Sequence, residues 1–237
     1  RPIDISDDLE PEQAFNYGVN LLHTIYTDKA EFQIIADFYK TIFSNQIHPD
    51  YHREIEIDNT IYSDDTVYIE NFKESSQSNS FQIELGMEFL KSIGIKIAYN
   101  YLDVFKIHHN TKHELPFNSK HHILGTLSYQ PIDKNWQFDM NIHWFGKKKL
   151  IYDENNNITS HTTSIYSEPY SLLNAQFTKK MNQFEIYMGA ENILNFKQMN
   201  PIIGASNPFG TNFDAANNAW GPTKGIELYV GIRLKIQ

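Results

Sequence analysis

The stretch Trp136-Gln137-Phe138-Asp139-Met140-Asn141-Ile142-His143-Trp144 decides the fold of this chain. Its even-numbered residues are apolar or aromatic, and its odd-numbered residues are polar. Successive side chains of a β-strand point to opposite faces of the sheet, so this segment is predicted to be a strand with one apolar and one polar face. Trp136 and Trp144 lie on the apolar face and are separated by about 26 Å along the strand. Aromatic side chains therefore mark both ends of that face.

The same alternation recurs along the whole chain. It is clear in 81–89, 184–191 and 226–237, and weaker elsewhere. We count nine long strands, at 14–27, 30–43, 81–89, 94–107, 120–131, 136–144, 170–179, 184–191 and 226–237. The sequence thus predicts an all-β antiparallel protein in which residues 1–237 belong to one domain.

The predicted connections alternate between short and long. Short turns are expected at 27–30, 92–94, 132–135 and 180–183, and long loops at 44–78, 108–119, 147–169 and 196–224. Outer-membrane barrels have this asymmetry, and their strands of about ten residues cross an apolar band of about 25 Å. The prediction is therefore a transmembrane β-barrel whose apolar face meets lipid. The alternative is a soluble β-sandwich, in which the apolar face packs on a second sheet.

Composition excludes several classes of function. The 237 residues carry a net charge of −9 and no basic stripe, which argues against a nucleic-acid partner. There is no cysteine, so disulfides and thiolate sites are absent. No apolar run approaches the roughly 20 residues that a transmembrane helix needs.

The N-terminal Arg1-Pro2-Ile3-Asp4 lacks the features of a signal peptide, and we expect it not to be the natural start of the protein.

Several motifs resemble those of one family. They are Leu9-Glu10-Pro11-Glu12 with Asn16-Tyr17-Gly18-Val19-Asn20, Ser78-Asn79-Ser80-Phe81-Gln82-Ile83-Glu84-Leu85-Gly86, Ala190-Glu191-Asn192-Ile193-Leu194-Asn195-Phe196, and Phe213-Asp214 with Trp220-Gly221-Pro222-Thr223-Lys224-Gly225-Ile226-Glu227-Leu228-Tyr229-Val230-Gly231-Ile232-Arg233. In order and spacing they resemble the C-terminal part of the barrel of a TonB-dependent outer-membrane receptor of the kind found in Bacteroidota. One departure is the chain end, Leu234-Lys235-Ile236-Gln237, where such barrels usually carry an aromatic residue.

The resemblance implies a location in the cell outer membrane and a role in active import. The nine strands would be the last nine of a plugged barrel of about 22 strands. The ligand would be scarce and small: an iron or copper chelate, haem, cobalamin or an oligosaccharide. The implied partners are lipid and lipopolysaccharide, the rest of the barrel with its plug, and the TonB complex. Neither a cofactor nor catalysis is expected.

A sheet of nine strands has two open edges, which independently suggests that more chain is needed. Each unpaired backbone group in lipid costs several kcal/mol, so we expect another polypeptide or further residues to complete the barrel. The alternative functions are a passive porin, a barrel-associated enzyme, and a soluble all-β binding module. A barrel enzyme would need a Ser/His or acidic dyad on adjacent strands, and none stands out.

Histidines supply most of the candidate site. His108, His109 and His113 with Glu114 fall in one predicted external loop, where they could bind copper, zinc or haem iron. A merely polar, histidine-rich loop is the other interpretation, so no firm metal site is assigned. His143 lies on the polar face near the outside, and of His121 and His122 only one can share that face, expected to be His122.

Other polar and aromatic residues have two interpretations each. Trp220 in the last loop could contact ligand or anchor the membrane interface. Lys147-Lys148-Lys149 is expected to serve the surface without specificity, meeting lipopolysaccharide phosphates or solvent. The inward polar residues are expected to meet the plug and lumen water, with direct ligand contact as the other interpretation; they are Glu84, Glu88, Asp139, Asn141, Glu185, Tyr187, Glu191, Glu227 and Arg233.

Overall fold

A computed structural model gives the fold and describes residues 2–50, 54–57, 60–63, 66–71, 75–108, 111–150, 166–210, 213 and 219–234. The strands of this part of the chain are β1 (Ile3–Ile5), β2 (Gln13–Tyr26), β3 (Ala30–Ser44), β4 (Ile47–Asp50), β5 (Glu54–Ile57), β6 (Thr60–Ser63), β7 (Val67–Asn71), β8 (Ser76–Phe89), β9 (Ile93–His108), β10 (Thr111–Glu114), β11 (His121–Tyr129), β12 (Trp136–Phe145), β13 (Tyr170–Lys180), β14 (Phe184–Glu191) and β15 (Glu227–Leu234). Within those ranges no helix has the length and apolarity to cross a membrane.

The long strands form one antiparallel sheet in the order β2-β3-β8-β9-β11-β12-β13-β14-β15. Each long strand pairs with the long strand that precedes it in the chain, so the sheet is a simple meander. The short β10 folds back on the end of β9. The nine predicted strands and the antiparallel all-β class are confirmed. β2 and β15 are the two edges, and among the described residues no strand pairs with their outer sides.

The connections alternate as predicted. Residues 27–29, 90–92, 130–135 and 181–183 make the short turns, whereas 45–75, 109–120, 146–169 and 192–226 make the long connections. In a meander, alternate connections lie at opposite ends of the sheet. All short turns therefore share one end, here called the turn end, and all long connections share the other, here called the loop end.

The register separates an apolar from a polar face. Phe138 on β12 is directly opposite Tyr129 on one side and Phe177 on the other. One residue along, Asp139 is opposite Ser128 and Gln176. Because directly paired residues share a face, the apolar positions of every long strand fall on one side of the sheet and most polar positions on the other. The residues expected to line the lumen all lie on this polar face.

The sheet is a single layer. Within the described residues its strands contact only their hydrogen-bonded neighbours. The only buried apolar side chains there are Val67, Phe105, Tyr170 and Ile203, whereas Leu228 and Val230 on the apolar face are 78% and 73% exposed. A β-sandwich would cover that face with a second sheet. The described residues provide no such layer, so the apolar face must be covered by something other than this part of the chain.

Aromatic side chains gather at both ends of the apolar face. At the turn end, the Trp136 ring lies 5.0 Å from Tyr129 and 5.7 Å from Phe177, between ring centres. At the loop end, His121 lies 5.4 Å from Tyr101 and accepts or donates a 2.8 Å hydrogen bond with the Tyr99 hydroxyl. Girdles of aromatic residues in these positions flank the apolar band of membrane barrels.

Two smaller sheets are formed by the connection between β3 and β8, one of them together with β1 at the start of the chain. β1 and β4 flank β7, with β1 parallel to it, and β5 pairs with β6. Asn71 ties this region to the start of β2: its side-chain amide donates to the carbonyls of Glu10 and Asn45, and its Oδ1 accepts from the Glu10 amide. The predicted long loop at 44–78 therefore contains strands of its own.

The last two strands are packed by reciprocal tyrosine–glycine pairs. Tyr187 on β14 is opposite Gly231 on β15, and Gly189 is opposite Tyr229. A β-carbon at either glycine would collide with the ring of the tyrosine opposite. Each ring thus covers the backbone of a neighbouring glycine, an arrangement that compensates for the missing side chain.

Candidate functional site at the loop end of the polar face

Two histidines meet on the polar face close to the loop end. His122 is the second residue of β11, and His143 lies on the neighbouring β12, diagonally across the pair. Nε2 of His122 is 3.1 Å from Nδ1 of His143, and the ring planes differ by only 11°. An N–H···N hydrogen bond between imidazoles requires one nitrogen to donate and the other to accept. The expectation that His122, and not His121, shares the face of His143 is confirmed.

Aromatic rings continue from this pair into the long connections. Phe145 stacks on His122 with ring centres 4.4 Å apart, Tyr170 lies 5.0 Å from Phe145, and Phe196 lies 4.8 Å from Tyr170. The first three belong to one row of directly paired residues on β11, β12 and β13. Trp220 completes the group, tilted against Tyr170 and Phe196. We call these residues, with Lys148, the loop-end cluster; its members are His122, His143, Phe145, Lys148, Tyr170, Phe196 and Trp220.

Lys148 holds the cluster together. Its ammonium donates hydrogen bonds to the backbone carbonyl of Trp220 at 2.6 Å and to the Tyr170 hydroxyl at 3.3 Å. It also lies 5.7 Å from the ring centre of Phe145. Burial lowers the pKa of Lys148 below its ordinary value. The expectation that Lys148 serves the surface without specificity is therefore wrong: it is a half-buried link between two long connections.

Two buried amides shape the connection that carries Phe196 and Trp220. Oε1 of Gln198 accepts from the backbone amides of Trp220 and Gly221. Asn192 donates to the carbonyls of Phe196 and Lys224 and accepts from the Phe196 amide. These contacts explain the Asn192-Ile193-Leu194-Asn195-Phe196 motif physically, because Asn192 closes the turn after β14 and ties it to the start of β15.

The sequence-predicted site residues separate into three groups. His143 and Trp220 lie in the loop-end cluster. His113 lies on β10 opposite Lys106, and His108 ends β9. His109 lies outside the described residues. Trp220 packs on rings of the polar face, so its described contacts do not support an interface anchor. Among the described residues, no three metal-ligating side chains of the His, Cys, Asp and Glu types lie together.

Sequence reasoning missed Phe145, Lys148, Tyr170 and Phe196 as members of a site. One signal was available. Phe145 follows the odd-numbered, polar phase of β12, and Tyr170 shares its row on β13. An aromatic side chain on the polar face cannot serve as an interface anchor on the apolar face. Residues that break the alternation in this way indicate packing or binding at that level of the sheet.

Below the cluster the polar face carries a network of amides and carboxylates. The Asn174 amide donates to Oδ1 of Asn141 at 2.8 Å, and the Ser128 hydroxyl donates to Asp139 at 2.7 Å. A cavity of about 240 Å³ opens here, lined by Asp139, Asn141, Asn174, Ala175, Gln176, Glu191 and Tyr229. These groups offer hydrogen bonds of both kinds to water, to protein or to a polar solute.

A separate ionic group lies beyond the aromatic girdle at the loop end. Lys112 pairs with Asp103 at 2.5 Å, and Lys120 lies 3.5 Å from Asp103 and 3.4 Å from Glu114. Burial opposes the charge on Lys120, but the Glu114 and Asp103 carboxylates raise its pKa above the ordinary value. The buried Asp103 side chain is thus compensated by lysines from the connection between β9 and β11.

Comparison with known proteins identifies the architecture. No protein-family model and no curated protein sequence matches the chain. Solved structures do. The ferric enterobactin receptor PfeA of Pseudomonas aeruginosa is 14% identical over 95% of this chain and 31% of its own, with a TM-score of 0.60. The iron transporter FrpB of Neisseria meningitidis is 10% identical over 97% and 31%, with a TM-score of 0.59. The copper transporter OprC is 14% identical over 95% and 31%, with a TM-score of 0.61.

The chain therefore spans about a third of the length of the proteins that it matches. Nearly all of it takes part in each superposition, which agrees with one continuous run of barrel strands. The fold of this chain is therefore that of a segment of these receptor and transporter structures.

Proposed function

We propose that this chain is part of a plugged outer-membrane barrel that imports a scarce small ligand with energy from the TonB complex. One observation carries the proposal: a single-layered sheet whose apolar face is exposed along every long strand. Burying apolar surface is worth about 25 cal/mol per Å², so such a face is unfavourable in water. In a bilayer the same face is solvated by hydrocarbon, while the hydrogen-bonded ladders satisfy the backbone.

Import, as opposed to a structural role, is supported by the polar face and by the structural neighbours. The wall below the loop-end cluster is rich in amides and carboxylates, as an aqueous or plug-filled lumen requires. The neighbours are a ferric enterobactin receptor, an iron transporter and a copper transporter. An iron or copper chelate is accordingly the first candidate ligand, with haem, cobalamin or an oligosaccharide as the others. The proposal needs no catalysis by this chain.

The proposal includes the missing parts of the barrel. Residues 1–237 form the C-terminal part of one barrel domain, and additional strands pair with β2 and β15. A plug fills the lumen against the polar face, and lipid and lipopolysaccharide surround the apolar face. Within this assembly His143 and Trp220 are proposed to contact ligand at the loop end, and His108, His109 and His113 remain predicted contributors from the neighbouring loop.

Site-directed spin labelling tests the membrane assignment. This chain has no cysteine. In the full-length protein, with any cysteine elsewhere replaced, Phe138→Cys and Asp139→Cys place labels on opposite faces of one strand. In lipid vesicles the label at 138 should collide with dissolved oxygen, and the label at 139 should be screened from it. If the label at 138 instead behaves as one sealed within protein or exposed to bulk water, the barrel assignment is overturned.

Uptake by cells tests the import step. Cells with and without the full-length gene are given radioactive copper or a ferric catecholate, in the presence or absence of a protonophore. Gene-dependent uptake that the protonophore abolishes supports active import. Gene-dependent uptake that survives the protonophore, together with steady conductance in planar bilayers, would instead identify a passive channel.

A further inference from the structure

We infer that His122 and His143 form a two-imidazole site for a transition-metal ion, with Cu²⁺ as its best occupant. The inference rests on the proposed import function in one respect: it names the class of cargo that the barrel would import. That cargo is a metal ion, either free or carried by exchangeable ligands. The binding itself depends only on the geometry of two side chains.

The spacing of the two nitrogens fits one metal ion. Imidazole nitrogens bind such ions at about 2.0–2.1 Å. Two nitrogens separated by 3.1 Å therefore subtend an angle of about 95–102° at an ion bound at that distance. This angle lies between the square-planar and tetrahedral values. Strand pairing thus brings the two nitrogens close to coordinating distance, and the rings must then turn to direct their lone pairs at the ion.

The hydrogen bond between the rings keeps the site assembled without metal. The ring centres are 5.3 Å apart and the nitrogens 3.1 Å apart, so the two rings meet almost end to end. On binding, the shared proton moves to the other nitrogen of its own ring, both facing nitrogens become free, and the rings turn until their lone pairs converge. Each ring keeps one proton in this tautomer pair, so the ion binds without the release of a proton.

The surroundings position the two rings, and both side chains are half-buried. Both histidines project from strands, and Phe145 stacks on His122 at 4.4 Å, so the donors are positioned by regular structure. Leu124 and Leu172 lie directly opposite His143 on the two neighbouring strands. Two protein ligands leave the remaining positions to water or to a carrier molecule. Such a site releases its ion readily, as a passage requires.

The donor set selects the kind of metal. Imidazole suits copper, zinc and nickel, whereas magnesium, calcium and manganese prefer carboxylate and carbonyl oxygens. For a given nitrogen site, affinity among divalent ions is highest for Cu²⁺. We therefore expect the order Cu²⁺ above Zn²⁺ and Ni²⁺, with no measurable binding of Mn²⁺.

Copper titration of the full-length protein in detergent tests the site. His122→Gln and His143→Gln each remove one imidazole but keep a polar side chain of similar reach. His121→Gln is the matched control, because His121 is the adjacent residue and faces the apolar side next to Tyr99. The wild type and the control should bind Cu²⁺ alike. Each of the other variants should bind at least about tenfold more weakly, because loss of an outer-shell partner alone already costs about tenfold or more, and these variants lose a ligand itself.

Electron paramagnetic resonance gives the structural readout. Bound Cu²⁺ should show hyperfine coupling to two equivalent imidazole nitrogens in the wild type and in His121→Gln, and to fewer in His122→Gln or His143→Gln. An unchanged spectrum and affinity in both of these variants, with thermal stability retained, overturns the site. The outcome is independent of the proposed function: if copper binds here but the spin labels show no contact with lipid, the import proposal fails and the metal site stands.

Discussion

The ammonium of Lys148 donates a 2.6 Å hydrogen bond to the backbone carbonyl of Trp220, a residue that follows β14 much later in the chain. The bond joins the connection after β12 to the connection before β15. Because Tyr170 and Phe196 stack beside it, the bond lies in a partly dry environment, where an electrostatic contact is stronger than in water. The Lys148 ammonium therefore organises the loop end of the sheet, although its lysine-rich sequence suggested a surface charge.

Replacing this lysine should loosen the last connection. In Lys148→Met the Trp220 carbonyl and the Tyr170 hydroxyl lose their donor, and a hydrogen bond to a charged group is worth about 1.5–3 kcal/mol. Limited proteolysis of the full-length protein should cut the 196–224 region about tenfold faster, a change that corresponds to about 1.4 kcal/mol of local stability. Lys147→Met is the control, since Lys147 is exposed. Equal cutting rates in the two variants would contradict the proposed link.

The tyrosine–glycine pairs of β14 and β15 predict a strong effect from a single methyl group. In Gly231→Ala the new β-carbon meets the Tyr187 ring, which must leave its position. Overpacking of this kind costs about 1–3 kcal/mol. The midpoint of urea unfolding in lipid vesicles should fall accordingly.

A second change tests the cause of that loss. Adding Tyr187→Ala to Gly231→Ala removes the ring that the methyl group meets. The double variant should then lose less stability than the sum of the two single variants, since contacting residues are not additive. Strict additivity would show that the ring is not what opposes the methyl group.

Much of the architecture could be predicted from the sequence because a sheet with one apolar and one polar face follows a local rule. A strand that faces hydrocarbon on one side and a lumen on the other must alternate, and β14 has the predicted bounds 184–191. The rule no longer applies where the apolar face ends. β8 begins at Ser76 and not at Phe81, because Ser76-Gln77-Ser78-Asn79-Ser80 is polar on both faces and carries no alternating signal.

The site was harder to predict because it depends on contacts between distant segments. The alternation placed His122 and His143 on one face, and strand pairing then brings them together. Nothing local indicates that Lys148 meets Trp220, or that β1 pairs in parallel with β7. Pairings across long connections are determined by tertiary packing. They leave no signal in the residue pattern of either partner.

Asn192 is expected to be the most sensitive residue of the turn after β14. It is buried, has a φ of 50°, and makes hydrogen bonds to Phe196 and Lys224. Asn192→Ala loses those bonds and places an alanine in the left-handed region, so we expect a loss of about 2–4 kcal/mol in the free energy of unfolding. Asn192→Gly loses the bonds but tolerates the backbone, and should cost about 1 kcal/mol less. Equal losses would mean that the backbone conformation is not under strain.

The ionic group around Lys120 predicts a pH dependence at the alkaline limit. The Glu114 and Asp103 carboxylates outweigh the effect of burial and raise the pKa of Lys120 above its ordinary 10.5. A lysine whose pKa is higher in the folded state adds stability below pH 10.5, and that stability is lost as the pH rises through the folded value. The difference in unfolding free energy between the wild type and Lys120→Gln should therefore be constant up to about pH 10 and shrink above it. A difference that grows with pH would mean that burial dominates and that the ion pairs do not stabilise this connection.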